Sequence, residues 1–524
     1  MSVSNSLDMF YLANSYCSAG VSALQLIVLA LTSGRPIRAW GSIKIEIQEL
    51  SGQASATVCT MYVYKHSTTV DANIDATFAW FEHKGSFRRL MPPWEVAEEV
   101  RADETLEVGS QRVFRFPMGP LKLTWVAEHT AYNPPHHFAD KMIKGPFWSW
   151  NHEHHLMESN GMTTLVDEVT YQVPFGKLGN LVDRILGGIL VRGRISKMFK
   201  ARELRLQRDM EQHAKFSHIP RKRILIAGSS GMIGTQLVAF LDTGGHDVWR
   251  LVRRQVKDGA NEFHWDPDTG ELNASLLEGF DVIIHLGGEG IGDKRWSKRR
   301  KQTIRNSRVN STKLLADAVA SLESKPEAFA LASAIGWYGD RSDEELTESS
   351  PHGDGFLPDV CTQWEAAASA IESAGIRTMY LRSGIVLSAT GGALGKMLLP
   401  FKLGAGGSIG GGRQWMSWIS LDDEIYAIHH LVMNNESIGA YNLTAPNPVM
   451  QRGFAGTLGK VLRRPTFAPL PRFAIKVMFG EMGERLTLDS QRVLPERLLS
   501  EGFEFLHSDL EKGLRDTLGT WKEI

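Results

Sequence analysis

Arg223-Ile-Leu-Ile-Ala227, followed by Gly228-Ser-Ser-Gly231-Met-Ile-Gly234, decides the fold of this 524-residue chain. The apolar run reads as a strand buried on both faces, as in a parallel sheet covered by helices. Three glycines then lead into an apolar helix through Leu241. Gly228 permits a tight turn, Gly231 lets backbone approach a pyrophosphate, and Gly234 lets the helix pack close to the sheet. The helix N-terminus supplies N–H groups and the positive end of its dipole, so phosphate is the ligand that this arrangement suits. A second strand over residues 246–252 completes the strand–turn–helix–strand context that separates a dinucleotide site from a chance glycine triplet.

The second strand reports the cofactor type. A site for NAD places Asp or Glu near its end to hold the ribose 2′-hydroxyl. Here the strand ends Val252-Arg253-Arg254, and guanidinium groups suit a 2′-phosphate. NADP(H) is the expected cofactor. Further strand signals lie at Asp281-Val-Ile-Ile-His-Leu-Gly-Gly288, over 327–339 and over 378–387. Strands alternating with helices imply a doubly wound α/β sheet with ligands at the C-terminal strand ends. The expected cofactor set is therefore Gly228, Ser230, Gly231, Met232, Ile233, Gly234, Arg253, Arg254, Leu286, Gly287, Gly288 and Ser333.

Outward from this core, the length suggests roughly three domains at about 150 residues each. Lys+Arg total 58 against Asp+Glu 59, a net charge of −1 that removes the global electrostatic case for a nucleic-acid binder. One basic run, Lys294, Arg295, Lys298, Arg299, Arg300, Lys301, Arg305 and Arg308, reads as a solvated helix face. Three scattered cysteines, Cys17, Cys59 and Cys361, give neither a disulfide framework nor a zinc knuckle and fit a cytoplasmic protein. The apolar stretch over 21–31 is too short for a membrane span. Residues 1–60 are read as an extension, disordered or not native, and Met61 opens the first strand-like run.

Residues 61–215 form the first block, 216–222 a linker, 223–464 the nucleotide-binding domain and 465–524 a helical C-terminal domain. In the first block a capped helix begins near Asp71, and β-type runs follow at 112–116, 121–128, 147–155 and 164–173. A long helix with an apolar stripe is expected over 181–214. Strands capped by one amphipathic helix make an α+β shape with a cavity in it. Strand alternation puts Trp148, Trp150, His152 and His154 on one face and His155 on the other. Two histidines with no carboxylate nearby on that face fall short of a zinc site, so no metal is expected and pocket lining is preferred.

Phe138-Ala-Asp140, Gly145-Pro-Phe-Trp-Ser-Trp-Asn-His152, His154 and Asp167-Glu-Val-Thr-Tyr171 resemble the helix-grip superfamily of START domains and polyketide cyclases, which implies a cavity for a hydrophobic ligand. The second block resembles the extended and atypical short-chain dehydrogenase/reductases, within them the epimerase-like family. The matching pieces include Gly228 to Gly234, His285-Leu-Gly-Gly-Glu-Gly290, Ser333 to Asp340, Trp364-Glu-Ala-Ala367 and Leu381-Arg-Ser-Gly-Ile-Val386. The tail, with Val493-Leu-Pro-Glu-Arg-Leu498, resembles the small domain that closes those proteins. Their chemistry rests on a Tyr-x-x-x-Lys pair. The corresponding helix here offers only Val360/Trp364 and Cys361/Glu365 at that spacing. Tyr338 and Glu365 are the candidate substitutes. Met416 stands where sugar-nucleotide enzymes carry a diphosphate-clamping Arg. The expectation is an NADP(H)-dependent oxidoreductase acting on an apolar small molecule, with a fused ligand-binding domain. Its rivals are a non-catalytic NADP(H) sensor and a sugar-nucleotide epimerase.

Overall fold

The computed structural model describes residues 61–103, 105–118, 121–173, 189 and 191–521. The extension over 1–60 and the first part of the helix expected over 181–214 lie outside the described residues. The described residues divide into two compact units: those over 61–78 with those over 96–207, and those over 79–95 with those over 208–521. The expected 61–215 block is therefore not one unit. The reason is a buried guanidinium: Arg89 bonds the Asp209 carboxylate at 2.8 and 2.6 Å and Gln236 Oε1 at 3.0 Å, which ties residues 79–95 to the second unit.

In the first unit β1 (Tyr62–Val70), β2 (Glu98–Ala102), β3 (Gln111–Met118), β4 (Leu121–Asn133), β5 (His137–Lys144), β6 (Ser149–Ser159) and β7 (Met162–Gln172) form one sheet. Its order is β1-β7-β6-β5-β4-β3-β2, antiparallel throughout. Asn73 starts α1 (Ile74–Glu82) by accepting the Ala76 N–H at 2.8 Å. The expected long helix appears as α2 (Arg192–Lys215). Its Ile195 and Phe199 pack on Tyr64, Trp150, Val169 and Tyr171 of the sheet. Trp150, His152 and His154 are buried as the alternation requires, and His155 is exposed. Trp148 departs from that pattern: it precedes β6 and is 56% exposed.

The second unit is built on β8 (Arg223–Ala227), β9 (Asp247–Val252), β10 (Glu262–His264), β11 (Val282–His285), β12 (Ala328–Ala334), β13 (Arg377–Ser383) and β14 (Gly439–Leu443). They pair in parallel in the order β10-β9-β8-β11-β12-β13-β14, so the chain reverses direction beside β8. In such sheets ligands bind outside the carboxyl ends at that reversal. Ile224, Leu225 and Ile226 are fully buried, with Ile224 and Ile226 in one core and Leu225 in the other, as a strand covered on both faces must be. Each such side chain contributes roughly 1.5–3 kcal/mol relative to exposure. Helices α3 (Met232–Thr243), α4 (Lys298–Ala320), α5 (Phe356–Ala366) and α6 (Leu421–Met433) connect the strands. The C-terminal region is helical, but it is not a separate body: Leu498 and Phe503 join one sheet core, and Leu510, Leu514 and Leu518 pack with Trp418 and Phe454. Among the described residues no helix is long and apolar enough to cross a membrane.

Candidate functional site

The loop between β8 and α3 is a cradle of backbone. Gly228 has φ +82°, and a Cβ there would lie 2.6 Å from the Gly287 nitrogen. A side chain at Gly234 would sit 2.3 Å from the Gly228 oxygen, because α3 presses directly on the loop. Gly231 caps the helix without any side-chain bond of its own, and both it and Ser230 are exposed, leaving the N-terminal N–H groups open. Met232 and Ile233 are half-buried at the start of the helix. These features fit a dinucleotide: a cradle that side chains would fill is kept free of them, at the positive end of a three-turn helix.

Leu286, Gly287 and Gly288 continue from β11 beside that loop, the Leu286 N–H donating to the Ala227 oxygen at 2.8 Å. His285 below them is fully buried. The Gly287 N–H donates to its Nδ1 at 3.3 Å, so the proton sits on Nε2, which faces Ser311 Oγ at 3.0 Å. Burial pushes the His285 pKa down to about 4, making the imidazole a neutral prop for the turn. Arg308 underlies Gly288: a Cβ there would meet its guanidinium carbon at 3.1 Å. Its Nη1 donates to the Glu289 oxygen at 3.0 Å, and its guanidinium lies 4.9 Å from the Trp364 ring centre. Arg300 pairs with Glu289 at 2.8 Å and Lys301 with Glu481 at 2.5 Å, so part of the basic run is engaged within the unit.

The arginine pair at the end of β9 splits. Arg254 forks onto Glu262 at 2.5 and 2.8 Å, and Arg250 reaches the same carboxylate at 2.9 Å. Burial raises the Glu262 pKa, but the Arg254 and Arg250 contacts outweigh it and hold the carboxyl below its ordinary range. The strand end was expected to be free of carboxylate; β10 brings one alongside, from outside the local sequence window. Arg254 is thereby committed to an internal pair. Arg253 is 64% exposed, with Asp268 at 3.9 Å, and is the guanidinium left to meet a phosphate.

The candidate catalytic groups are drawn together, but inward. Ser333 Oγ donates to Glu365 Oε1 at 2.6 Å. Arg382 grips the same carboxylate with Nε and Nη2, both at 2.9 Å. Its Nη1 donates to the Tyr338 hydroxyl at 3.2 Å, which in turn donates to Asn442 Oδ1 at 2.8 Å. Tyr338 is wholly buried, and burial raises its pKa. The candidate catalytic residues Tyr338 and Glu365 are thus buried, with their polar atoms engaged by Arg382, Ser333 and Asn442. Ser333 is buried with its hydroxyl committed to Glu365. The parts Arg382 and Asn442 play were missed because they reach Tyr338 from β13 and β14, 44 and 104 residues away in the chain.

In the antiparallel unit the register corrects a second expectation. Asp140 lies across from His152, and Asp167 across from His154. Two carboxylates therefore share the histidines' face, where reading along β6 alone found none. Asp140, His152 and His154 form a group whose potential ligand atoms all lie within 4.8 Å of one another.

The NAD dependent epimerase/dehydratase family model matches residues 224–444, and a model described as a domain of unknown function (DUF1731) matches 470–517. An epimerase family protein of Mycobacterium leprae is 39% identical over 291 residues, 56% of this chain and 94% of the relative. The human epimerase family protein SDR39U1 is 37% identical over 297 residues, 56% of this chain and 99% of its own. A solved structure of human SDR39U1 (isoform 2) with NADPH aligns with a TM-score of 0.53 at 34% identity, covering 56% of this chain and 98% of that one. The nucleoside-diphosphate sugar epimerase from Corynebacterium glutamicum aligns at 31% identity with a TM-score of 0.71 over 87% of this chain and 90% of that one. That coverage exceeds the second unit and reaches into the antiparallel sheet.

Proposed function

Because the chain belongs to the NAD dependent epimerase/dehydratase family, we propose that it is an NADP(H)-dependent oxidoreductase whose antiparallel unit is a helix-grip domain that captures an apolar substrate. The observation that carries the cofactor choice is the exposed Arg253 beside a neutralised Glu262. Gly228, Gly231, Gly234 and the α3 N-terminus would hold the pyrophosphate, Arg253 the 2′-phosphate, and Leu286 to Gly288 would flank the cofactor's path. The bound nicotinamide supplies hydride chemistry. The human relative solved with NADPH supports the same choice. An arrangement of antiparallel strands, a covering helix and clustered Trp125, Phe147, Trp150 and Tyr171 rings, 5.0–5.9 Å apart, supports the apolar-ligand reading. Fusion of the two raises the effective concentration of captured substrate at the nucleotide site.

One observation favours a non-catalytic NADP(H) sensor as the second reading: Tyr338 and Glu365 are consumed by the buried network around Arg382. NADPH consumption against a panel of apolar aldehydes and ketones separates the two. The oxidoreductase reading expects turnover above background that disappears in Gly234→Val, whose side chain would overlap the Gly228 oxygen. NADPH binding without consumption by any carbonyl compound would transfer the assignment to the sensor.

A further inference from the structure

The antiparallel sheet holds a polar cluster that the nucleotide site does not use. Cross-strand partners stand on one face of a sheet, so the pairings of Asp140 with His152 and Asp167 with His154 gather four polar side chains on the face closed by Phe199 of α2. The side chains of His152, His154 and Asp167 are 6%, 8% and 6% exposed, and Asp140 is 19% exposed. Burying so much polarity on a face that otherwise carries Trp150, Leu156, Val169 and Tyr171 is costly unless the groups serve one another or a ligand.

The two carboxylates stand differently toward the imidazoles. Asp167 Oδ1 is 3.1 Å from His152 Nε2 and 2.7 Å from His154 Nδ1, both hydrogen-bond separations. Asp140 Oδ2 faces the opposite nitrogen of each ring, 3.6 Å from His152 Nδ1 and 3.8 Å from His154 Nε2. Those separations exceed a hydrogen bond. They approach the distance between two ligands of one tetrahedral ion, about 3.3 Å when each bond is near 2.0–2.1 Å. A closure of a few tenths of an ångström would let Asp140 share an ion with either ring, and the potential ligand atoms of all three groups already lie within 4.8 Å of one another. Asp167, on the far nitrogens, would then fix the tautomer and aim of both rings, the role a carboxylate behind a metal-bound histidine plays.

We propose that Asp140, His152 and His154 bind a divalent transition-metal ion of the zinc class, with Asp167 as the positioning residue. Three protein ligands leave a coordination position for a Lewis-basic oxygen of a molecule captured by this unit. The competing account is a closed ion cluster in which Arg202, whose charge is felt by both carboxylates, completes the neutralisation without metal. A second group, His137, Glu153 and His155, lies on the other face, with His155 exposed and His137 already 2.6 Å from Glu153; it serves as the internal control.

The test is calorimetric titration of chelator-stripped full-length protein with zinc chloride, and X-ray absorption on the cobalt(II) adduct. The proposal expects one ion per chain with two imidazole ligands and no sulfur. Asp140→Asn, nearly isosteric and at the most exposed edge of the cluster, should weaken binding at least about 100-fold, and Asp167→Asn roughly 10–100-fold. His155→Ala should bind as wild type does. Thermal unfolding of each metal-free variant reports whether the sheet is intact, and the cobalt spectrum of the wild type stands whatever the variants do. Absence of zinc uptake at about 0.1 mM, sulfur in the cobalt shell, wild-type affinity in a folded Asp140→Asn, or loss of binding in His155→Ala would each overturn the assignment.

Discussion

The two sheets bury histidines in different electrostatic company, and His285 and His154 mark the contrast. His285, at the end of a parallel strand, has a hydroxyl and an amide for company, and burial drives its pKa down to about 4. On the antiparallel sheet, burial also works against a charged His154, but Asp140 and Asp167 outweigh it and lift the pKa above the ordinary value. Burial alone neutralises an imidazole; the two carboxylates keep positive charge on His154, while burial and the charge of His154 push the pKa of His152 down. His285 thus serves to shape a loop. The antiparallel sheet concentrates buried polarity at one place.

The largest expected effect probes a buried ion pair of the parallel sheet, Arg382 with Glu365. Arg382→Ala leaves Glu365 buried and uncompensated and should cost about 3–5 kcal/mol in chemical denaturation. A loss below about 1 kcal/mol would mean that the Arg382–Glu365 pair is solvated and that Glu365 is available for chemistry.

Acid sharpens the contrast next. The folded His285 pKa lies below the unfolded value of about 6.5, so its contribution to stability is complete above that pH and is lost as pH falls toward about 4. Relative to His285→Gln, the wild type should lose roughly 3 kcal/mol more across that interval. Parallel stability–pH curves for the two proteins would contradict a neutral, buried His285.

Tyr338→Phe should remove about 1 kcal/mol of stability, since it leaves Asn442 and Arg382 each short of one partner. NADPH affinity should not change. Abolished turnover with unaltered stability would restore the tyrosine to catalysis. The smallest effect is expected at Arg254→Ala, below about 1 kcal/mol because the Arg254 side chain is 47% exposed and Arg250 still serves Glu262.

What could be read from the sequence follows the range of the interactions. The β8–loop–α3 motif occupies consecutive residues, so strand, turn and helix appear where the pattern puts them, with Gly228 in the turn and Gly234 packed against it. In the antiparallel unit the strand-like runs mark five of the seven strands, leaving out β2 and β5, and alternation along β6 places Trp150, His152 and His154 on one face. Partners that arrive through register or through distant strands were not: Asp140 and Asp167 reach the histidines across β5 and β7, Glu262 captures Arg254 from β10, and Arg382 with Asn442 encloses Tyr338. Each of these changes the meaning of a residue already singled out. A side chain's type shows what chemistry it is capable of, but its partners decide whether that chemistry is free to act.

The most direct test of the nucleotide assignment is titration of the full chain with NADPH and with NADH, comparing wild type, Arg253→Ala and Arg254→Ala. The account predicts that NADPH binds at least about tenfold more tightly than NADH, that Arg253→Ala lowers NADPH affinity about 10–100-fold while sparing NADH, and that Arg254→Ala keeps the preference. Equal binding of both nucleotides in the wild type, or a preference that survives Arg253→Ala and vanishes in Arg254→Ala, would contradict it.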